Sequence, residues 1–276
     1  TIGMSFGLGK LIEISYMQSR NNFFSGFLIF FGLSSCIATK GLISSVKEIA
    51  ELIEREEINY QNERIIKEKV QRIVSRDVSS SSLEHLLRSS TESLTENSVD
   101  GIFGPLFWIF IGIFFMKFSI FLPGPLSLGF SYKAISTLDS MIGYKYDYFR
   151  YLGFFSAKIE DIFTFVPSRL VLITLPLVSP KINEYGSIIK KSYLDGKKYD
   201  SPNAGISEAI FAYISGITLG GKSKYKNEII KKPKINANGD NCTGDKIKLI
   251  CQLILRLQLL WIIIFVLIFF VISTSI

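Results

Sequence analysis

The sequence predicts an all-α fold, a polytopic integral membrane helical bundle that also carries amphipathic helices. Three observations lead there. Of the 276 residues, 48% are hydrophobic and 13% aromatic, and the mean hydropathy is +0.32, too apolar for a soluble domain of this size. Four stretches are almost free of charge: 21–39 has none, 101–132 only Lys117, 162–179 only Arg169, and 257–276 none. Each is near or above the roughly 20 residues that cross a hydrocarbon core. Between them the polar segment 44–98 repeats its apolar residues with a helical period. We read 1–276 as one membrane-embedded domain, with a polar helical region at 44–100 and a basic loop region at 181–234. The chain starts at Thr1 with neither an initiator Met nor a signal-peptide pattern, as expected of a fragment or a processed start.

In chain order, the polar segment places Val46, Ile49 and Ile53, then Ile65, Ile66, Val70, Ile73 and Val74, then Leu83, Leu86, Leu87 and Leu94. This spacing predicts two or three amphipathic helices. The run Ser79 to Ser82 separates the last of them, with Ser81 or Ser82 as N-cap and Glu84 in the first turn. His85, the only histidine, has no second ligand-type residue at metal spacing and reads as a surface or packing residue. The apolar run from Ile102 is broken by Leu122-Pro123-Gly124-Pro125. A breaker inside an apolar run favours a re-entrant or helical hairpin over one straight crossing. The segment 162–179 holds Pro167, Arg169 and Pro176, a kinked span or an interfacial segment. Residues 205–221 read as a helix packed on the bundle, 236–244 as a polar linker, and 257–276, with Trp261 at its entry, as the clearest span.

Charge narrows the function classes. Of the net +7, +6 lies between Lys181 and Lys234, where eleven lysines meet five acids. A cytoplasmic loop obeying the positive-inside rule and a basic funnel for a phosphorylated substrate are both compatible with this. The segment has no Arg and no binding module, which argues against nucleic acid. Cys36, Cys242 and Cys251 lack C-x-x-C spacing and read as isolated thiols. Phosphate-loop, dinucleotide, nucleophile-elbow and zinc-protease motifs are all missing from the sequence.

Four polar clusters remain, each at the edge of an apolar segment. Ser75-Arg76-Asp77 is followed by Glu92, Glu96, Asn97 and Asp100. The three acids are successive i, i+4 neighbours on a helix, a solvated face or an oxygen-ligand set for Mg²⁺ with substrate phosphates. In the second cluster Tyr132, Ser136, Asp139 and Gly143 share a helical face beside Lys133 and Thr137; a phosphate or metal site competes with a buried polar face between helices. The third sets Glu160 and Asp161 before Arg169, an Arg at membrane depth that either functions there or snorkels outward. The fourth is Ser201-Pro202-Asn203-Ala204-Gly205 with Glu208 and, further on, Leu219-Gly220-Gly221. A Pro-Asn turn opening a helix presents free N–H groups that suit an anion.

Taken in order, these clusters resemble the adenosylcobinamide-phosphate synthase family of cobalamin biosynthesis, the CobD/CbiB membrane proteins. The matching stretches are S-R-D (75–77), E-S-L-T-E-N-S-V-D-G-I-F-G-P-L-F-W (92–108), Y-K-A-I-S-T-L-D-S-M-I-G-Y-K (132–145), E-D-I-F-T-F-V-P-S-R-L (160–170), S-P-N-A-G-I-S-E-A (201–209) and L-G-G (219–221). They span about Val70 to Tyr225. The chain departs from the family pattern at Ser136, at Glu160-Asp161, at Thr164 and at Tyr199-Asp200, and the family's N-terminal D-P…H-P-V element is not found.

The resemblance implies an ATP-dependent amide ligation in a prokaryotic cell membrane. Adenosylcobyric acid, a cobalt corrinoid substrate, would be joined to aminopropanol phosphate or a related amino alcohol. ATP and Mg²⁺ are the implied cofactors, the lipid bilayer a partner, and a homo-oligomer is compatible. On this reading Glu92, Glu96, Asp100 and Asp139 hold the metal, and Asp161, Lys133 and Arg169 act catalytically. Arg76, Asp77, Asn97, Ser136, Thr137, Ser201, Asn203, Gly205, Glu208, Gly220 and Gly221 bind substrate or ATP. The competing class is a non-catalytic transporter or channel subunit whose intramembrane charges form an ion path; the inverted repeats expected of a transporter are not seen in the sequence.

Overall fold

A computed structural model describes residues 1–18, 22–54, 60–142, 150–225 and 228–274. The chain is almost wholly helical and divides into two compact units. The first comprises Thr1–Ala38, Asp100–Pro167 and Trp261–Ile276; the second comprises Thr39–Val99 and Ser168–Leu260. Four stretches are long and apolar enough to cross a membrane: Phe23–Ile53, Leu83–Phe118, Gly153–Val178 and Gly244–Thr274. The membrane helical class expected from composition is therefore the observed one.

The first unit is built from α1 (Ile2–Gln18), α2 (Asn22–Cys36), α6 (Gly104–Phe118), α7 (Pro125–Ile142), α8 (Arg150–Thr174) as far as Pro167, and the end of α11 (Gly244–Thr274). The Leu122-Pro123-Gly124-Pro125 breaker does turn the chain: α6 ends at Phe118 and α7 starts at Pro125, and the two helices pack against each other as a helical hairpin. Helix α1 packs on α7 closely enough that a Cβ at Gly9 would lie 2.6 Å from the Ser127 Cα. Small residues at membrane helix contacts allow such an approach.

Helix α1 is not evident in the sequence, because Lys10 and Glu13 interrupt its apolar pattern. Both charges are spent inside the fold. The Lys10 ammonium donates to the Ile120 carbonyl at 2.6 Å and to the Leu122 carbonyl, satisfying the turn between α6 and α7. Glu13, 1% exposed, accepts from the backbone N–H groups of Leu126 at 2.7 Å and Ser127 at 2.9 Å, and from the Ser127 hydroxyl at 3.2 Å. It caps the start of α7 from a different helix, satisfying donors that a helix leaves open at its N-terminus. Aromatic contacts finish the unit: Phe110 stacks on Phe265 at 3.7 Å, and the Trp108 indole donates to the Phe163 carbonyl at 3.0 Å.

The second unit holds α3 (Thr39–Ile53), α4 (Tyr60–Gln71), α5 (Leu83–Ser98), α9 (Tyr185–Gly196), α10 (Ala204–Ser215), the strands β1 (Leu219–Tyr225) and β2 (Glu228–Ile235), and the first part of α11. The three amphipathic helices read from periodicity are α3, α4 and α5, and Ser82 is the N-cap, its hydroxyl accepting from the His85 N–H. Ile49, Ile66, Val70, Val78 and Leu86 form one apolar cluster. Helix α10 is buried from Gly205 to Ala212.

Two expectations are corrected here. The basic region 181–234 is not a loop; it folds into α9, α10 and the antiparallel β1–β2 pair. Nor is 205–221 one helix. Helix α10 stops at Gly216, in the left-handed region at φ 74°, and Leu219-Gly220-Gly221 opens β1. The strand was hidden because its alternation is glycine and serine inward against lysine outward, with almost no apolar residue to mark a face.

Candidate functional site

Helix α5 carries hydroxyl groups where a core helix would carry aliphatics. Ser89, Ser90, Thr91, Ser93, Thr95 and Ser98 are buried with Leu86, Leu87 and Leu94. Several hydroxyls satisfy themselves locally: Ser90 donates to the Leu86 carbonyl, Thr91 to that of Leu87 and Thr95 to that of Thr91. The one acid among them, Glu92, is 1% exposed and needs a counter-charge. Arg76 of the S-R-D motif supplies it, donating from Nη1 to Glu92 Oε2 at 2.5 Å and also to the Ser223 hydroxyl of β1 at 2.9 Å. The other oxygen, Oε1, accepts from the Gly220 N–H at 2.8 Å and lies 3.8 Å from Arg88 Nε.

This bond fixes the L-G-G turn. Gly220 has φ 80°, and a Cβ there would lie 2.8 Å from the Tyr199 hydroxyl and closer still to the Pro233 carbonyl. Only glycine suits both the angle and the space. Asp77 holds the same strand from outside, its backbone N–H donating to the Lys224 carbonyl at 2.8 Å and its carboxylate lying 3.4 Å from Lys224 Nζ. Hydrogen bonds from Ser79, aided by Lys224, hold that carboxyl below the usual carboxylate range.

Beside this ion pair lies Glu208 of α10, 0% exposed, with no hydrogen bond to either oxygen. The Lys232 ammonium approaches to 3.9 Å and sits 5.3 Å from the centre of the Tyr199 ring. The Tyr199 hydroxyl is also buried and makes no hydrogen bond of good geometry, with the Glu208 carboxyl as its polar neighbour. Burial pushes the Glu208 carboxyl well above the usual range; Lys232 opposes this, Glu92 and Glu96 add to it, and Arg76 opposes it. Burial likewise raises the Tyr199 phenol, with Glu208 and Glu92 adding to the shift. A buried acid with perturbed titration, held only loosely by a lysine at 3.9 Å, is a mark of a functional site.

The S-P-N-A-G motif is a helix start gripped by α8. The Ser201 hydroxyl accepts from the N–H groups of Asn203 and Ala204, at 3.3 and 3.2 Å. Asn203 Oδ1 accepts from Ser168 and from Arg169, and Arg169 Nη2 donates to the Pro202 carbonyl at 2.9 Å. Arg169, expected in catalysis, thus anchors this turn, and the Asn203 side chain faces that arginine. Gly205 packs on the Gly196 carbonyl, bringing α9 and α10 together.

In the first unit, Lys133, Ser136 and Asp139 lie half-buried on α7 and Thr137 is exposed. Asp100 is half-buried in a π-helical turn, Val99–Phe103, that joins α5 to α6. Such turns are frequent at functional sites. Asp161 of α8 pairs with Lys158 at 3.6 Å. Its neighbour Glu160 accepts from Thr164, which in turn bonds the Tyr132 hydroxyl at 2.9 Å. Gly143 lies outside the described residues.

The four carboxylates expected on a metal are divided: Asp100 and Asp139 belong to the first unit, Glu92 and Glu96 to the second. Glu92 takes Arg76 and Gly220 as partners, and Asn97 donates back to the Ser93 carbonyl and hydroxyl. Among the described residues, no three His, Cys, Asp or Glu side chains gather as a metal cage.

What the structure does bring together is Arg76, Asp77, Glu92, Glu208, Gly220 and Gly221, all in the second unit. To these it adds four residues not singled out as site residues from the sequence: Arg88, Tyr199, Ser223 and Lys232. Arg88 was legible as the i, i+4 partner of Glu92. Tyr199 was noticed only as a departure from the family pattern.

Fold and site thus define a class: a helical membrane protein whose polar unit encloses a buried charged centre where the separated motifs meet. The chain belongs to the CobD/Cbib protein family, which matches over residues 1–254. It is similar to proteins named cobalamin biosynthesis protein CobD. The Synechocystis sp. protein is 38% identical over 73% of this chain and 55% of its own length. That of Clostridium acetobutylicum is 36% identical over 87% and 71%, and that of Clostridium tetani 32% over 88% and 69%. The chain therefore spans between about half and seven-tenths of the curated relatives it matches. No solved structure matches.

Proposed function

We propose that this chain acts in cobalamin biosynthesis as a membrane-embedded, ATP-dependent amide ligase. It joins adenosylcobyric acid to aminopropanol phosphate or a related amino alcohol and gives adenosylcobinamide phosphate. One observation carries the reading: S-R-D, the Glu92 helix, the S-P-N-A-G helix and L-G-G, far apart in sequence, contribute to the same folded unit, and each supplies one residue of the charged centre of Arg76, Glu92, Glu208 and Gly220.

The chemistry asks for such a centre. A carboxylate is a poor electrophile, and ATP converts it to an acyl phosphate that an amine can attack; the protein's share is to position groups and to balance charge. Mg²⁺ is held best by phosphates with one or two carboxylates, not by an all-protein cage. Among the described residues the acids form no such cage, and Asp100 and Asp139, both of the first unit, are the carboxylates assigned to the ion. Lys133 is assigned to phosphate.

The test is direct. Purified protein is incubated with cobyric acid, aminopropanol phosphate and Mg·ATP, and the amide is sought by mass. Product is expected; its absence with every component verified overturns the ligase reading. Asp100→Asn is expected to lower the rate at least ten-fold at limiting Mg²⁺.

A further inference from the structure

Four buried oxygens of the second unit make no hydrogen bond of good geometry, Ser89 Oγ, Glu208 Oε1, Glu208 Oε2 and the Tyr199 hydroxyl, and the last three lie together, the phenol beside the Glu208 carboxyl. Leaving a buried polar group unsatisfied is costly, so a fold keeps three together where something else completes them. All can accept. A primary ammonium is the small group that donates three hydrogen bonds from one atom.

The site already holds a loose likeness of one. Lys232 brings its ammonium over the Tyr199 ring, at 5.3 Å, and to 3.9 Å from Glu208, beyond hydrogen-bond range. An aromatic face beside a carboxylate is a cation site. The Lys232 side chain is 26% exposed and long, so its head can withdraw outward. The remaining charges around Glu208 are Glu92 and Glu96 of α5 and Arg76, which is committed to Glu92.

We propose that Glu208 and Tyr199 form the recognition site for the primary amine of the substrate, with Lys232 as its resident stand-in, and that Glu208 receives the proton the amine must lose. This rests on the ligase reading and names which residues take the amino end. In the bond-forming step the amine nitrogen adds to the acyl carbon, forming C–N. The C–O bond to phosphate breaks and phosphate leaves with its electron pair. Before that step the ammonium gives one proton to a Glu208 oxygen, which frees the nitrogen lone pair, and the second N–H proton leaves on the departing phosphate. An ordinary carboxylate is too weak a base for an ammonium; a buried one, whose charged form is disfavoured, is better matched.

Two probes test this on the full chain in lipid nanodiscs with Mg·ATP present: aminopropanol phosphate and its deaminated counterpart, propanol phosphate. Calorimetry is expected to show at least ten-fold tighter binding of the amine, strengthening as pH rises and Glu208 ionises. Glu208→Gln is expected to bind both probes alike and to lose that pH dependence; Tyr199→Phe is expected to lose three- to ten-fold for the amine alone. Melting temperatures check that each variant is folded. Equal binding of the two probes by the unaltered chain, no binding of either, or unchanged discrimination in Glu208→Gln overturns the amine site. Discrimination without amide formation leaves the site standing and removes the ligase reading.

Discussion

Glu13 in the first unit and Glu208 in the second are equally hidden, at 1% and 0% exposure, yet one accepts three hydrogen bonds and the other accepts none. Glu13 closes an account that backbone geometry opened: two N–H groups at the head of α7 need acceptors, and its carboxylate supplies them. Glu208 answers no backbone need. Its charge finds a lysine at 3.9 Å and a silent phenol. In the first unit, the buried charge of Glu13 serves architecture. In the polar unit, the buried charge of Glu208 is left with only a lysine at 3.9 Å.

Glu92 lies between the two cases and gives the largest expected effect. Arg76→Ala would strand a buried carboxylate, and breaking a buried pair from one side costs about 3–5 kcal/mol. A matching fall in denaturation midpoint of the purified protein is expected; a loss under about 1 kcal/mol would show that the pair is dispensable and that the polar unit tolerates unpaired acids in general. Next comes Glu13→Ala, expected to cost about 3 kcal/mol because two backbone donors lose a charged acceptor. An unchanged melting temperature would remove the architectural half of the comparison.

Glu208→Gln should go the other way. A carboxyl whose folded value is raised stabilises the fold while protonated, and that contribution is lost as pH rises from the ordinary carboxyl value of 4.5 through the folded value. At neutral pH the amide variant is therefore expected to melt at or slightly above the unaltered chain, and below pH 4 the difference should vanish. A clear fall in melting temperature at neutral pH would make Glu208 a second Glu13. The smallest effect is at Asp195. Burial raises its carboxyl, but the Lys198 ammonium, the Tyr213 hydroxyl and the Asn236 N–H outweigh it and hold it low. A depressed carboxyl contributes stability above 3.8 that fades as pH falls through the folded value. Asp195→Asn should flatten that acid limb in a pH-melting series and change little at pH 7.

How much could be read from the chain followed from what its residues advertise. Charge-free runs and a Pro-Gly-Pro breaker announce spans and a hairpin, because membrane and backbone physics act on composition alone. Helix α1 escaped notice since Lys10 and Glu13 look like surface charges until their partners, more than a hundred residues away, are known. Strand β1 escaped because its inward residues are Gly221 and Ser223. In the site, Arg76 and Glu92 were found by motif, and their mutual pairing was not, as charge at a distance in sequence leaves no periodic trace. Lys232 was one lysine among the eleven between Lys181 and Lys234; only the register that sets it opposite Gly221 distinguishes it.

The cap that Glu13 provides has a consequence for how the protein is made. Synthesis delivers the acceptor 113 residues before the Leu126 donor it serves, so the carboxylate is already in place when the α6–α7 hairpin leaves the ribosome. The hairpin can then fold with its turn complete. A chain synthesised without its first helix would present that turn to the insertion machinery with two bare amides and no acceptor, and delayed insertion of the hairpin is the expected defect.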